Sequence, residues 1–125
     1  MNVAVNLSDI DFSTYNGQKV IDVIPVGTEL FRVVLGKGSI NVECTWRMRN
    51  SETIITSPCE RQGVDFISIL KMNLKGKSIT RIYHFTPTED LIIGFNNELY
   101  LDLFADSSTF EHYQLYKGDT LFLIG

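Results

Sequence analysis

The chain has 125 residues, 44% of them apolar and 21% charged, the size and make-up of one globular domain, which excludes a disordered or fibrous chain. No apolar run approaches the roughly 20 residues needed to span a bilayer, and residues 1–11 carry neither the basic nor the apolar part of a secretory signal, so a single cytoplasmic domain over 1–125 is expected. The formal charge of −4 is unevenly spread, about −3 from Met1 to Phe31, +5 from Arg32 to Arg81 and −6 from Ile82 to Gly125.

Glycine, asparagine and proline punctuate the chain, and the runs between them are β-branched and aromatic. Val20–Pro25, Leu30–Leu35 and Ser39–Trp46 read as strands. The third alternates, with Ile40, Val42, Cys44 and Trp46 on one side and Asn41, Glu43, Thr45 and Arg47 on the other. Gly36-Lys37-Gly38 supplies a hairpin turn between the second and third. Thr53–Ser57 reads as a fourth strand. Val64, Ile67 and Leu70 have helical spacing and favour a short helix within Arg61–Leu74, although Phe66, Leu70 and Met72 also suit a strand.

The figure then returns as Ser78–Thr86, Leu91–Phe95 and Leu99–Phe104, with Asn96-Asn97 as the turn. The two passages superpose at a shift of about 59 or 60 residues, which predicts an internal repeat of about 15–57 and 74–124. Gly17 falls on Gly76, Val20 on Ile79, Phe31 on Leu91, Ile40 on Leu99 and Glu43 on Asp102. Strands joined by such short turns must be antiparallel. Two meanders, each with one apolar face, bury those faces against each other. The expected fold is mainly β, an antiparallel sandwich or flattened barrel of about eight strands from two similar halves, with Thr120–Ile124 closing the second sheet.

Enzyme motifs are missing. Gly36-Lys37-Gly38 lacks the spacing of a phosphate loop, no serine sits in a nucleophile elbow, and His84 and His112 have no cysteine spacing that suggests zinc. A Glu111–His112 acid–base pair is the one enzymatic reading, and it needs a pocket. No enzyme activity, cofactor or metal is expected. Cys44 and Cys59 read as reduced thiols of a cytosolic protein. The last stretch sets Lys117 against Glu89, Asp90, Glu98, Asp102, Asp106, Glu111 and Asp119. Acid without interleaved base repels phosphate, which argues against nucleic acid and for a basic protein partner. Arg47, Arg49, Lys75 and Lys77 have no aromatic series among them in the sequence, which also counts against a nucleic-acid sheet face.

Asn16-Gly17 before Val20–Val23, Trp46-Arg47, and Lys75-Gly76 before Ile79–Ile82 occur in an order that carries a resemblance. Asp90 to Asn97 leading into Leu99–Phe104, and then Phe110-Glu111-His112-Tyr113, continue it. The order resembles small, two-fold repeated bacterial β-proteins, several of which are immunity proteins of contact-dependent growth inhibition systems. The likeness runs from about Tyr15 to Leu115, with Tyr113 standing where a tryptophan is expected. It implies a protein that binds the C-terminal domain of a cognate toxin, basic and a nuclease, and blocks its active site or substrate face. The contact is expected on Glu89, Asp90, Asp102, Asp106 and Glu111, with Tyr100, Phe104 and Tyr113 as aromatic anchors. Tyr100, Asp102 and Phe104 share a strand face opposite Leu99, Leu101 and Leu103, so their exposure is predicted. The alternative is a ligand-binding or regulatory β-domain with a pocket between the sheets near His84 or His112.

Overall fold

The structure, a computed structural model, describes residues 4–27, 30–57, 65–105 and 112–125. Two three-stranded meanders form its frame, β2 (Val20–Gly27), β3 (Leu30–Leu35) and β4 (Gly38–Val42), then β7 (Ile79–Thr86), β8 (Leu91–Phe95) and β9 (Leu99–Phe104). After each meander the chain crosses to the opposite sheet. β5 (Thr45–Arg49) pairs with β9 and carries β6 (Ile54–Thr56) at its side, while β10 (Tyr113–Lys117) pairs with β4 and carries β11 (Thr120–Ile124). With β1 (Asn6–Leu7) on the edge of β7, the result is a six-stranded sheet, β1-β7-β8-β9-β5-β6, and a five-stranded one, β11-β10-β4-β3-β2. Every pairing between strands is antiparallel. The sheets form a sandwich and do not close into a barrel.

The expectation differs from this in four places. Ser39–Trp46 is two strands, broken at Glu43-Cys44, because its first part belongs to one sheet and its second to the other. The alternation survives the break, since Ile40, Val42, Cys44 and Trp46 all face the shared core. Thr120–Ile124 closes the sheet of the first meander, not of the second. β1 and β10 are additional strands. The helix α1 is Phe66–Leu74. Asp65 caps it, its carboxylate accepting from the Ser68 N–H at 3.1 Å.

The meanders start alike. Gly17 and Gly76 have φ of +83° and +87°, a left-handed turn that side chains resist. Both first strands carry a register shift, between Val20 and Asp22 and between Ile79 and Arg81. The two starts are laced together, Gly17 N–H donating to Ile79 O at 2.7 Å and Gly76 N–H to Val20 O at 2.9 Å. Between the sheets lie Val23, Phe31, Val33, Ile40 and Val42 from one side and Ile82, Leu91, Ile93, Leu101 and Leu103 from the other. Trp46 is buried there, 5.0 Å from the Phe31 ring and nearly perpendicular to it. Leu70 and Leu74 seal the side next to β2. Among the described residues no helix is long and apolar enough to cross a membrane.

Candidate functional site

The inward residues of the six-stranded sheet are mainly aliphatic, with Trp46, His84 and Phe95 also buried, and the pleat turns the residues between them outward. These are Arg81, Tyr83 and Phe85 of β7, Ile92 and Gly94 of β8, Tyr100, Asp102 and Phe104 of β9, and Arg47 and Arg49 of β5. Strand register sets them in rows. Arg81, Gly94, Tyr100 and Arg49 form one row, and Tyr83, Ile92, Asp102 and Arg47 the next. At about 4.8 Å per strand, the backbones of Arg81 and Arg49 stand about 14 Å apart, with the side-chain-free Gly94 between them.

Asp102 sits at the centre with 2% of its surface exposed. Its Oδ2 accepts from Nε of both Arg47 and Arg49, each at 2.6 Å. Its Oδ1 is buried without a partner. Each arginine also lies over a ring, Arg47 5.1 Å from the centre of Phe104 and Arg49 4.6 Å from Tyr100, and Arg81 is 4.8 Å from Tyr83. One face therefore combines four aromatic rings with three guanidiniums held in place. Its formal charge is +2, three arginines against one carboxylate. A shallow trough of about 380 Å³ runs over Tyr83, Phe85, Ile92, Tyr100 and Arg49. A second cavity, of about 230 Å³, opens beside Asp102 and Phe104.

Three of the expected contact residues thus belong to this face, with corrections. Tyr100 and Phe104 are half-exposed, under their arginines. Asp102 shares their face but is buried, because neighbouring β5 brings two guanidiniums against it. Tyr113 is fully buried and is no anchor. Its hydroxyl donates to Glu89 O at 2.8 Å, and burial first, then nearby Glu89, pushes its pKa up. Glu89 and Asp90 lie in the β7–β8 connection, where Asp90 Oδ1 accepts the Ala105 N–H at 3.1 Å. Asp106 and Glu111 lie outside the described residues.

The remaining described acids do not gather into a flank. Glu98 is at the opposite end of β8, and Asp119 is on the β10–β11 turn of the other sheet. Counting acids along the chain missed Arg47, Arg49, Arg81, Tyr83 and Phe85 as companions of β9. The aromatic series absent around Arg47 and Arg49 in sequence is supplied by β7 and β9 in space.

His84 marks a second feature. It is 3% exposed, with Nδ1 2.7 Å from Ser8 Oγ and Nε2 3.2 Å from Glu89 Oε1. A serine, an imidazole and a carboxylate in line suggest acyl transfer, which also needs N–H donors for an oxyanion. The Ser8 N–H is already spent on His84 O at 2.8 Å, and the Ile10 N–H is directed at Ser8 Oγ, 3.4 Å away. The trio ties the β1 segment to the β7–β8 connection. The adjoining cavity of about 220 Å³ falls below the roughly 300 Å³ at which small-ligand pockets begin, which weakens the ligand-domain alternative near His84. Among the described residues no group of three histidine, cysteine or carboxylate side chains could hold a metal.

No protein-family model matches the chain, and neither curated proteins nor solved structures yield a significant match.

Proposed function

We propose that the chain is a bacterial immunity protein, without chemistry of its own, that binds a cognate toxin domain in the cytoplasm and covers its active site or substrate face. The toxin is a nuclease in this reading, as the resemblance implies, and the contact is the outer face of the six-stranded sheet. The observation that carries it is the set of Tyr83, Tyr100 and Phe104 under Arg81, Arg49 and Arg47, organised around a buried Asp102. Tyrosine and arginine dominate binding hot spots, and side chains already fixed by stacking and ion pairing lose little freedom when a partner docks. The electrostatic basis changes from the sequence expectation. The face itself is positive, so the basic groups of a nuclease would meet Glu89 and Asp90 at its end, while the rings supply contact area.

The test is co-expression with the toxin domain encoded beside this chain. Cells should survive with the wild type and die with Tyr100→Ala/Phe104→Ala, whose affinity should fall at least about 30-fold, the value of one strong hot spot. Survival with that double variant would move the contact off this face. Killing despite the wild type would end the immunity reading.

The same rings and arginines favour a second reading, a platform that stacks a single nucleic-acid strand. The chain's net charge of −4 opposes it. Micromolar, steeply salt-dependent binding of oligothymidylate would replace the first reading.

A further inference from the structure

The trough over Tyr83, Phe85, Ile92 and Tyr100 is flanked on its β5 side by Arg49 and Ser51, and Arg49 is its one charged lining residue. Arg49 is fixed twice, by Nε on Asp102 Oδ2 at 2.6 Å and by its guanidinium 4.6 Å from the centre of the Tyr100 ring. Neither hold uses the Nη atoms, and among the described residues no acceptor meets them. They are not buried either. The buried side-chain polar atoms without a partner are the Tyr15 hydroxyl, Trp46 Nε1, Thr56 Oγ1 and Asp102 Oδ1, and 27% of the Arg49 side chain is exposed. The hydroxyls of Tyr83 and Tyr100 are in the same position, open to solvent and without a partner among the described residues.

The trough therefore offers donors, and its floor of Ile92 and Phe85 offers an apolar surface for a short stem. The two Nη groups of a guanidinium present parallel N–H bonds at the spacing of a carboxylate's oxygens. A guanidinium already pinned at Nε and stacked on a ring loses little freedom when that acceptor arrives. The formal charges of Arg47, Arg49, Asp102 and Asp90 cancel, so the attraction is made at contact, by hydrogen bonds. Arg81, stacked on Tyr83, adds a positive charge, and Glu98, with Oε2 3.4 Å from Ser51 Oγ, opposes an anion. A nucleic-acid strand would bring further phosphates against Glu98, Glu89 and Asp90, whereas a folded protein can place a single carboxylate.

We propose that the trough seats an aspartate or glutamate side chain of the partner protein, its carboxylate held by the two Nη groups of Arg49 beside the hydroxyls of Tyr83 and Tyr100. The inference rests on the reading of this sheet face as the toxin contact. It adds one acidic group of the toxin to the basic ones expected at Glu89 and Asp90.

The test needs no toxin. Propionate, a glutamate side chain without its backbone, is titrated into the full chain at constant ionic strength. Propionamide is the uncharged control, and dimethyl phosphate stands for a nucleic-acid backbone. Amide and arginine Nε ¹H–¹⁵N spectra should show saturable shifts at Arg49, Ile92 and Tyr100 with propionate, with a Kd on the order of 10 mM, and none with propionamide. Arg32 is the internal control, since its Nε is held by Asn41 at 2.6 Å and among the described residues no ring stacks on it; it should not saturate in that range. Arg49→Met should weaken binding at least about tenfold. Glu98→Gln leaves Asp102 and its arginines untouched, should strengthen binding about twofold, and keeps the test decisive if the first variant does not fold. Equal shifts from propionamide, equal saturation at Arg32, unchanged affinity in either variant, or tighter binding of dimethyl phosphate than of propionate would overturn the seat. Propionate binding by a chain that neutralises no toxin would leave the seat standing and remove the immunity reading. Neutralisation unimpaired by Arg49→Met would do the reverse.

Discussion

Asp102 offers the sharpest test of how the binding face is held. Its carboxylate is 3% exposed and takes two Nε–H bonds of 2.6 Å. Methionine at Arg47 and Arg49 keeps an apolar stem over Phe104 and Tyr100 while deleting both charges. Arg47→Met alone leaves Arg49 in place, and losing one bond to a charged group should cost about 1.5–3 kcal/mol. The double variant leaves a buried carboxylate with no compensating charge, and the expected loss is about 3–5 kcal/mol. Adding Asp102→Leu removes the orphaned charge and should bring stability back to within about 1 kcal/mol of the wild type. Urea unfolding reads this directly, because Trp46 is the only tryptophan in the chain and is buried. With a slope of about 2 kcal/mol/M, a loss of about 4 kcal/mol moves the midpoint down by about 2 M. If the double variant loses less than about 1 kcal/mol, or the triple variant is no more stable than the double, the arginines do not neutralise Asp102 and the account of the face fails.

Tyr15 is fully buried with its hydroxyl unpartnered, so Tyr15→Phe should be neutral or stabilising by about 1 kcal/mol near pH 7, read by thermal unfolding. Burial raises the Tyr15 pKa to about 12 from an ordinary 10. The unfolded chain therefore ionises first, and stability present below pH 10 is lost as the pH climbs toward 12. The margin of Tyr15→Phe over the wild type should widen across that window by about 2 kcal/mol, and a constant margin would refute the assignment. A β-carbon at Gly38 would overlap the carbonyl oxygen of Tyr116, whereas one at Gly36 meets nothing within 4 Å. Gly38→Ala should destabilise by more than about 2 kcal/mol by forcing β4 from β10, with Gly36→Ala within about 0.5 kcal/mol of the wild type; similar urea midpoints for the two would contradict this.

Strand identity was legible because burial on one face writes itself as alternation. What alternation cannot carry is register. The β3–β4 hairpin places Val33 opposite Ile40, and the β8–β9 hairpin places Ile93 opposite Leu101. By pairing, then, Ile40 corresponds to Leu101 and Asn41 to Asp102, where the sequence match gave Leu99 and Glu43. A slip of two residues keeps every side chain on its own face, so a pattern of period two is blind to it. The crossing of β5 and β10 between sheets was equally hidden, since Ser39–Trp46 alternates straight through the break. The acids misled for a related reason. Charge summed along Ile82–Gly125 ignores that a neighbouring strand, 53 and 55 residues away in sequence, delivers Arg49 and Arg47 to Asp102.

The corrected register supplies a control within the molecule. Asp102 lies between Ile92 and Arg47, and its counterpart Asn41 lies between Arg32 and Gln114. Both positions receive an arginine Nε at 2.6 Å, Asn41 from Arg32 alone. Where Tyr100 stands between Gly94 and Arg49, the five-stranded sheet has Ser39 between Val34 and Tyr116. The same scaffold thus builds one face with ringed arginines around a buried acid and another with a neutral amide at the acid's place and Ser39 at that of Tyr100. If rings and guanidiniums make the contact, Ser39→Ala and Gln114→Ala should leave toxin affinity within about threefold of the wild type, a surface effect. Arg49→Ala should cost at least about 30-fold. A tenfold loss from either substitution on the five-stranded sheet, measured by titration calorimetry, would transfer the contact to that sheet, because those positions share the strand geometry of the first face and none of its chemistry.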